Sequence, residues 1–172
     1  VNRIEDDRLI LRPILVSLDS FIAEIIKEYK PLAEKDKKSF LFEVKNSGLW
    51  VFSDESKLRW VTENLLDNAI SYTKKEGEIR VSIIKDGQSA RVDVVDNGIG
   101  IPSEAQKKIF SKFFRAENAL RLRSDGTGLG LYLVKALVKA MNGKVGFTSQ
   151  SGKGSTFWFT LPLVKNEAQD QK

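Results

Sequence analysis

Asn64 and Asn68 stand one helical turn apart in NLLDNA, so their amide side chains share a helix face that Tyr72 extends. An amide oxygen is a hard, neutral ligand, suited to a magnesium ion whose remaining positions are filled by phosphate and water. A carboxylate in its place would repel a triphosphate. A second group, Asp96-Asn97-Gly98-Ile99-Gly100-Ile101, follows the apolar run RVDVVD. A carboxylate at that strand end can accept from the exocyclic amino group that distinguishes adenine from guanine. Gly98 and Gly100 remove the Cβ atoms that would hold backbone away from a base. A third group, Gly126-Thr127-Gly128-Leu129-Gly130-Leu131, leads straight into an apolar-periodic helix. Backbone N–H groups in a glycine bend at a helix start suit phosphate. In this order the three groups point to ATP bound as its Mg²⁺ complex.

Each group also has a plainer explanation. The asparagines fit a polar helix face, Asp-Asn-Gly fits a turn after a strand, and the glycines fit a hinge. Rival phosphate motifs fit worse. A dinucleotide loop follows a strand, whereas AENALRLRSD has no strand pattern, and Gly152-Lys153-Gly154-Ser155 breaks the contiguous Gly-Lys-Ser/Thr of a Walker loop. Between the second and third groups, Phe110, Phe113 and Phe114 precede Arg115. The rings suit anchoring of a mobile lid to the core, with Arg115 turned toward phosphate.

Several elements must position these residues. Leu9–Ile14 alternates apolar and basic residues and predicts an edge strand stopped at Pro13. Asp19 is placed to cap a helix whose apolar face is Phe21, Ile22, Ile25, Ile26, Tyr29 and Leu32. Phe40–Val44 and Leu49–Phe52 suggest a strand pair around Asn46-Ser47-Gly48. Asp54 is placed to cap a second helix reaching Tyr72, and Asp86-Gly87 marks a hairpin between Ile79–Ile84 and Ala90–Val95. Residues 97–127 show one short helical stretch after Ser103, and so long an irregular span inside a domain suggests a lid. A helix from Leu129 to Met141 stops at Asn142-Gly143, and Lys144–Thr148 with Ser155–Leu161 closes the pattern as a hairpin. The sum is a two-layer α/β sandwich, about three helices on a mixed sheet of about five strands.

Composition narrows the chemistry. The 172 residues contain no cysteine and no histidine, which excludes thiolate catalysis, disulfides and imidazole ligands within this sequence. The net charge is +5, yet the lysines alternate with acids, so a solvated surface is expected and nucleic acid is not. No apolar run approaches membrane-spanning length, and a cytoplasmic setting is expected, with a longer parent free to be membrane-anchored.

Taken together, NLLDNAISYT, DNGIGI, IFSKFFR and GTGLGLYLVK resemble the N, G1, F and G2 boxes of the ATP-binding catalytic domain of sensor histidine kinases. That family belongs to the Bergerat-fold superfamily shared with Hsp90, type II topoisomerase ATPases and MutL. The resemblance implies that Asn68 is the magnesium ligand and that Asn64 lines the phosphates where the superfamily's ATPases keep a glutamate. It also implies that Asp96 reads adenine, that Tyr72 and Arg115 touch nucleotide or lid, that Gly126 to Leu131 cradle phosphate, and that Thr156 lies near the adenine. Residues 1–12 resemble the end of a dimerization helix with its linker, 13–164 the catalytic domain, and 165–172 a frayed tail.

Two departures stand out. Ser71 occupies a position where the family often has a lysine or arginine aimed at phosphate. The phosphoacceptor histidine is absent from this sequence, so the resemblance implies an acceptor on a separate dimerization domain, with a response regulator receiver domain downstream and a monomeric isolated chain. An ATPase clamp would need an acid where Asn64 stands. The same motifs would also serve a nucleotide-sensing module without phosphotransfer, or a serine-directed kinase.

Overall fold

The computed structural model describes residues 10–164. Along the chain come β1 (Ile14–Ser17), α1 (Leu18–Lys35), β2 (Ser39–Val44), β3 (Trp50–Ser53) and α2 (Glu55–Tyr72). After them come β4 (Glu78–Asp86), β5 (Ser89–Asp96), α3 (Ser103–Gln106), α4 (Glu117–Leu122), α5 (Gly130–Ala140), β6 (Lys144–Gln150) and β7 (Gly154–Pro162). A five-stranded sheet has the order β2-β4-β5-β7-β6, with β2 parallel to β4 and the other neighbours antiparallel. A separate ribbon pairs β1 with β3. The fold is therefore the α/β sandwich expected.

Alternation along β5 and β7 sorts the two faces of this sheet. Val92, Val94, Phe157, Phe159 and Leu161 are buried toward the helices, while Arg91 and Trp158 lie on the opposite side, the guanidinium 4.6 Å from the ring centre. Ile22, Ile25 and Ile26 of α1, Leu58, Val61, Leu65 and Leu66 of α2, and Val134 and Val138 of α5 complete one core. Each such side chain taken from water contributes about 1.5–3 kcal/mol before entropy is charged against it. Three helices thus lie over one face, and the asparagines ride on the middle one.

Asp54 starts α2 as expected. Its carboxylate accepts from the Ser56 hydroxyl at 2.6 Å, the Arg12 N–H at 2.9 Å and the Lys57 N–H at 3.2 Å. These donors, led by Ser56, hold its carboxyl down to about 2. The β4–β5 turn at Gly87 (φ +59°) and the β6–β7 hairpin also form where expected.

Other expectations fail, for identifiable reasons. Phe40–Val44 and Leu49–Phe52 do not pair with each other. Asn46 Oδ1 accepts from Lys85 N–H at 2.8 Å, tying the end of β2 to β4, and Gly48 N–H donates to Asp19 at 3.1 Å. The supposed hairpin turn is spent on different elements. Asp19 is not the cap of α1: the helix begins at Leu18 with Ser17 in the cap position, and Asp19 instead receives Gly48 and the Ser17 hydroxyl. The first strand covers Ile14–Ser17, because its partner offers only Trp50–Ser53 to pair with. Leu32, placed on the apolar face by periodicity, is 54% exposed beside Pro31.

Between β5 and α5, α3 forms after Ser103 as predicted. The helix α4 is a finding of the structure, and with no buried residue it leaves no apolar period to read. No helix among the described residues is long and apolar enough to cross a membrane. The expected linker lies largely, and the expected tail wholly, outside the described residues.

Candidate nucleotide-binding site

A cleft of about 280 Å³ opens between α2, the end of β5, the first turn of α5 and the lid that carries α4. It brings together Asn64, Asn68, Tyr72, Asp96, Gly100, Ile101, Arg115, Gly126, Thr127, Gly128, Gly130 and Leu131. Groups far apart in sequence therefore share one space.

The floor is rigid. Asn64 packs against the start of α5, where a Cβ on Gly130 would sit 2.7 Å from the Asn64 amide nitrogen. Glycine at 130 is what lets the amide close on that helix. Asn64 Oδ1 is buried without a partner; only Asn64, Thr73 and Asn118 carry such an atom among the described side chains, and two of these three line the cleft. Buried polar atoms are nearly always satisfied, so the unpartnered Asn64 oxygen makes this a candidate ligand position. The α5 N-terminus has no side-chain cap, which leaves its first N–H groups free for an anion.

Asp96 ends β5 nine-tenths buried, and its Oδ1 accepts the Gly98 N–H at 2.8 Å. Burial pushes its carboxyl up to about 6, against that hydrogen bond. Gly98 itself does not line the cleft: a Cβ there would meet the Tyr72 carbonyl oxygen at 2.2 Å, so this glycine lets β5 turn beneath α2. Gly100 (φ +62°) closes the same turn against the Gln150 carbonyl oxygen, 2.0 Å from where its Cβ would stand. Ile101 N–H then binds Ser149 Oγ at 2.8 Å.

The lid is held differently. Arg115 donates to the carbonyls of Ser124 at 3.1 Å and Gly126 at 3.0 Å, and also to that of Arg123. It faces the lid backbone, not an open phosphate position. Phe113 N–H meets the Gly128 carbonyl at 3.0 Å, and Gly128 (φ +71°) leaves no room for a Cβ beside the Phe113 backbone. Asn118 Nδ2 donates to the Gly100 carbonyl at 2.9 Å, joining α4 to the floor.

Two more of the expected residues stand aside. Thr156 faces the outer side of the sheet opposite Val95, and the residues of β7 that reach the cleft are Ser155 and Phe157. A strand alternates, so an error of one position reverses the face. Leu129 caps α5 from outside the cleft, its N–H toward Thr127 Oγ1 at 3.3 Å. Cleft residues that sequence reasoning missed include Asp67, Asn118, Arg123 and Ser155. Asp67 is three positions from Asn64 and was legible from helical spacing. Arg123 and Asn118 had no signal.

Residues 53–165 match the family described as histidine kinase-, DNA gyrase B-, and HSP90-like ATPase. The chain belongs to that family. The adaptive-response sensory kinase SasA of Crocosphaera subtropica is 36% identical over 151 residues, which span 87% of this chain and 39% of that protein. The chain thus covers well under half the length of this relative. The nucleotide-free catalytic domain of histidine kinase ThkA superposes with a TM-score of 0.77 at 29% identity, covering 88% of this chain and 96% of that one. ThkA has also been solved in complex with the response regulator TrrA, where the likeness covers 93% of this chain and 44% of ThkA at a TM-score of 0.76 and 27% identity. Full-length ShkA in complex with AMPPNP gives a TM-score of 0.77 at 28% identity over 91% of this chain and 32% of that one. Within the family the chain is a catalytic ATP-binding domain of the sensor histidine kinase kind.

Proposed function

We propose that this domain holds Mg-ATP with its γ-phosphate exposed and passes that phosphoryl group to a histidine on a separate dimerization domain, from which a response regulator receiver domain draws it. The observation that carries this is the convergence of the α2 amides, the Asp96 carboxylate and the open α5 N-terminus in one cleft. Asp96 receives the adenine amino group, the glycine turn admits the base, and the N–H groups of α5 receive phosphate oxygens.

The donor set fits magnesium. Magnesium keeps few protein ligands when phosphates and water supply the rest, and a neutral amide oxygen is one of the hard donors it accepts. Asn68 would hold the ion, and the unpartnered Asn64 oxygen one turn away faces the same space. The ion would neutralise charge on the transferring phosphoryl group. Positioning and charge neutralisation are then what the domain contributes. In the transfer, the bond from Pγ to the bridging oxygen breaks, ADP leaves, and a P–N bond forms on an imidazole, which this sequence lacks.

Asn64 also argues against water activation, since an amide has no useful basicity. Glu63 does not replace it: its carboxylate pairs with Arg59 at 3.2 Å and lies outside the cleft. Incubating the chain with Mg-ATP and a histidine-bearing helical dimerization domain should give an acid-labile, base-stable phosphoprotein, with very slow phosphate release when the chain is alone. Brisk steady hydrolysis by the isolated chain would move the assignment to the ATPase branch. We further propose a cytoplasmic setting and a monomeric isolated chain.

A further inference from the structure

Among the described residues only two basic side chains line the cleft, Arg115 and Arg123, and they are engaged in different ways. Arg115 is bound to lid carbonyls, and withdrawing it would unravel the loop that forms the roof. Arg123 reaches over the cleft to α2, where its Nη1 donates to Ser71 Oγ at 2.8 Å across 52 positions of sequence. Its Nε and Nη2 meet Asp125 at 2.6 and 3.2 Å. Asp125 is an exposed carboxylate, an anion that another anion can replace. Asp67 and Asp96 are the acids that line the same cleft, and beside Asp67 α2 presents to it only Asn64, Asn68 and Tyr72, all uncharged. Besides the metal ion, Arg123 is therefore the cleft's basic side chain not already bound to lid carbonyls.

We propose that Arg123 is the residue that receives the terminal phosphates of ATP, exchanging Asp125 for phosphate while Ser71 steadies the guanidinium above α2. This deepens the nucleotide reading of the cleft and rests on it. With Asp125 standing in for the phosphate, the lid lies close to α2 before nucleotide arrives. Binding then replaces one charge-assisted pair by another, so the gain depends on the number of phosphates and not on the base.

Calorimetric titration of the full chain with Mg-ATP, Mg-ADP and adenosine tests this, on wild type, Arg123→Ala, Asp125→Asn, the double variant, and Arg123→Ala carrying Ser71→Lys. Both Arg123 and Asp125 are exposed, so the variants should fold. Arg123→Ala should weaken Mg-ATP about 10- to 100-fold, as expected for a charge-assisted contact, and leave adenosine unchanged. Asp125→Asn should tighten Mg-ATP in wild type but not in the Arg123→Ala background, and Ser71→Lys should restore much of the loss. Equal Mg-ATP affinity in wild type and Arg123→Ala would overturn the proposal, as would an equal gain from Asp125→Asn with and without the arginine. If wild type binds no adenine ligand at all, the nucleotide reading falls first and this one with it. Normal wild-type binding with an unchanged preference for ATP over adenosine in Arg123→Ala defeats the arginine alone.

Discussion

The floor and the roof of the cleft are built on opposite principles. On the floor, Asn64 and Asp96 sit on a helix and a strand anchored by the buried Leu65, Leu66, Val92 and Val94, and their glycines are places where a Cβ would strike backbone or a packed amide. In the roof, α4 buries nothing, and the loop is held by Arg115, Asn118 and Arg123 reaching for carbonyls, a hydroxyl and a carboxylate. A rigid floor can read the base by geometry set before binding, at no ordering cost when the ligand arrives. A roof held by exchangeable polar contacts can move with the number of phosphates. On the function proposed above, adenine is read by the floor alone, while phosphate is shared between the α5 N-terminus and the roof.

The largest expected effect is on the floor. Asp96→Ala should abolish the rise in Tm that millimolar Mg-ADP gives to wild type, while Asp86→Ala should leave it intact; a saturating ligand at a thousand times its Kd is worth about 4 kcal/mol. Loss of the shift in both variants, or in neither, would mean the base is not read by this carboxylate. Asp96→Asn should also stabilise the ligand-free chain, by at most about 3 kcal/mol near neutral pH. The sign follows from burial, which raises this carboxyl from 3.8 to about 6. Stability linked to it is full below its unfolded value and is lost as pH rises through about 6. A chemical denaturation midpoint compared at pH 7.5 and 4.5 checks this, since the gain should shrink to about a third at the lower value.

Two glycine substitutions sharpen the contrast. Gly100→Ala puts a Cβ 2.0 Å from the Gln150 carbonyl on the rigid side, and should lower folding stability by about 1–3 kcal/mol. Gly128→Ala meets the Phe113 backbone at 2.7 Å in the lid, which can shift. It should weaken Mg-ATP while moving Tm little. Equal Tm losses would show that the lid is as much part of the fold as the floor.

Two smaller effects complete the series. Affinity for adenosine, which has no titrating phosphate, should fall as pH drops through about 6, because the acceptor form of Asp96 is then lost. Asp96→Asn should flatten that profile. Arg115→Ala should change global stability by less than about 1 kcal/mol, because its partners are lid carbonyls outside the core, yet speed proteolytic nicking within residues 116–126. Unchanged nicking would remove Arg115 from its place as the clasp of the lid.

The sheet, the three long helices and most of the floor were legible because burial writes itself into periodicity. Asp54 caps its helix as its type suggests, and Asp86-Gly87 makes its hairpin. Phe40–Val44 and Leu49–Phe52 look like partners because Asn46-Ser47-Gly48 has turn composition; nothing local reveals that Asn46 bonds Lys85 or that Gly48 bonds Asp19. The cleft follows the same rule. Asn64, Asn68, Asp96 and the glycines were readable, whereas Thr156 was misplaced by one residue of alternation and Ser155 took the position. Arg123 and Asn118 escaped because an exposed lid has no period, and their partners Ser71 and Gly100 are distant in sequence.

The most direct test is a backbone amide NMR titration of the isotopically labelled chain with Mg-ADP, assigned residue by residue. Shift changes should concentrate at Asn64, Asn68, Asp96 to Ile101 and the first turn of α5, with weaker effects across the lid. Saturable changes centred elsewhere, such as the Arg91–Trp158 face of the sheet, or none at millimolar nucleotide, would contradict the placement of the nucleotide in this cleft.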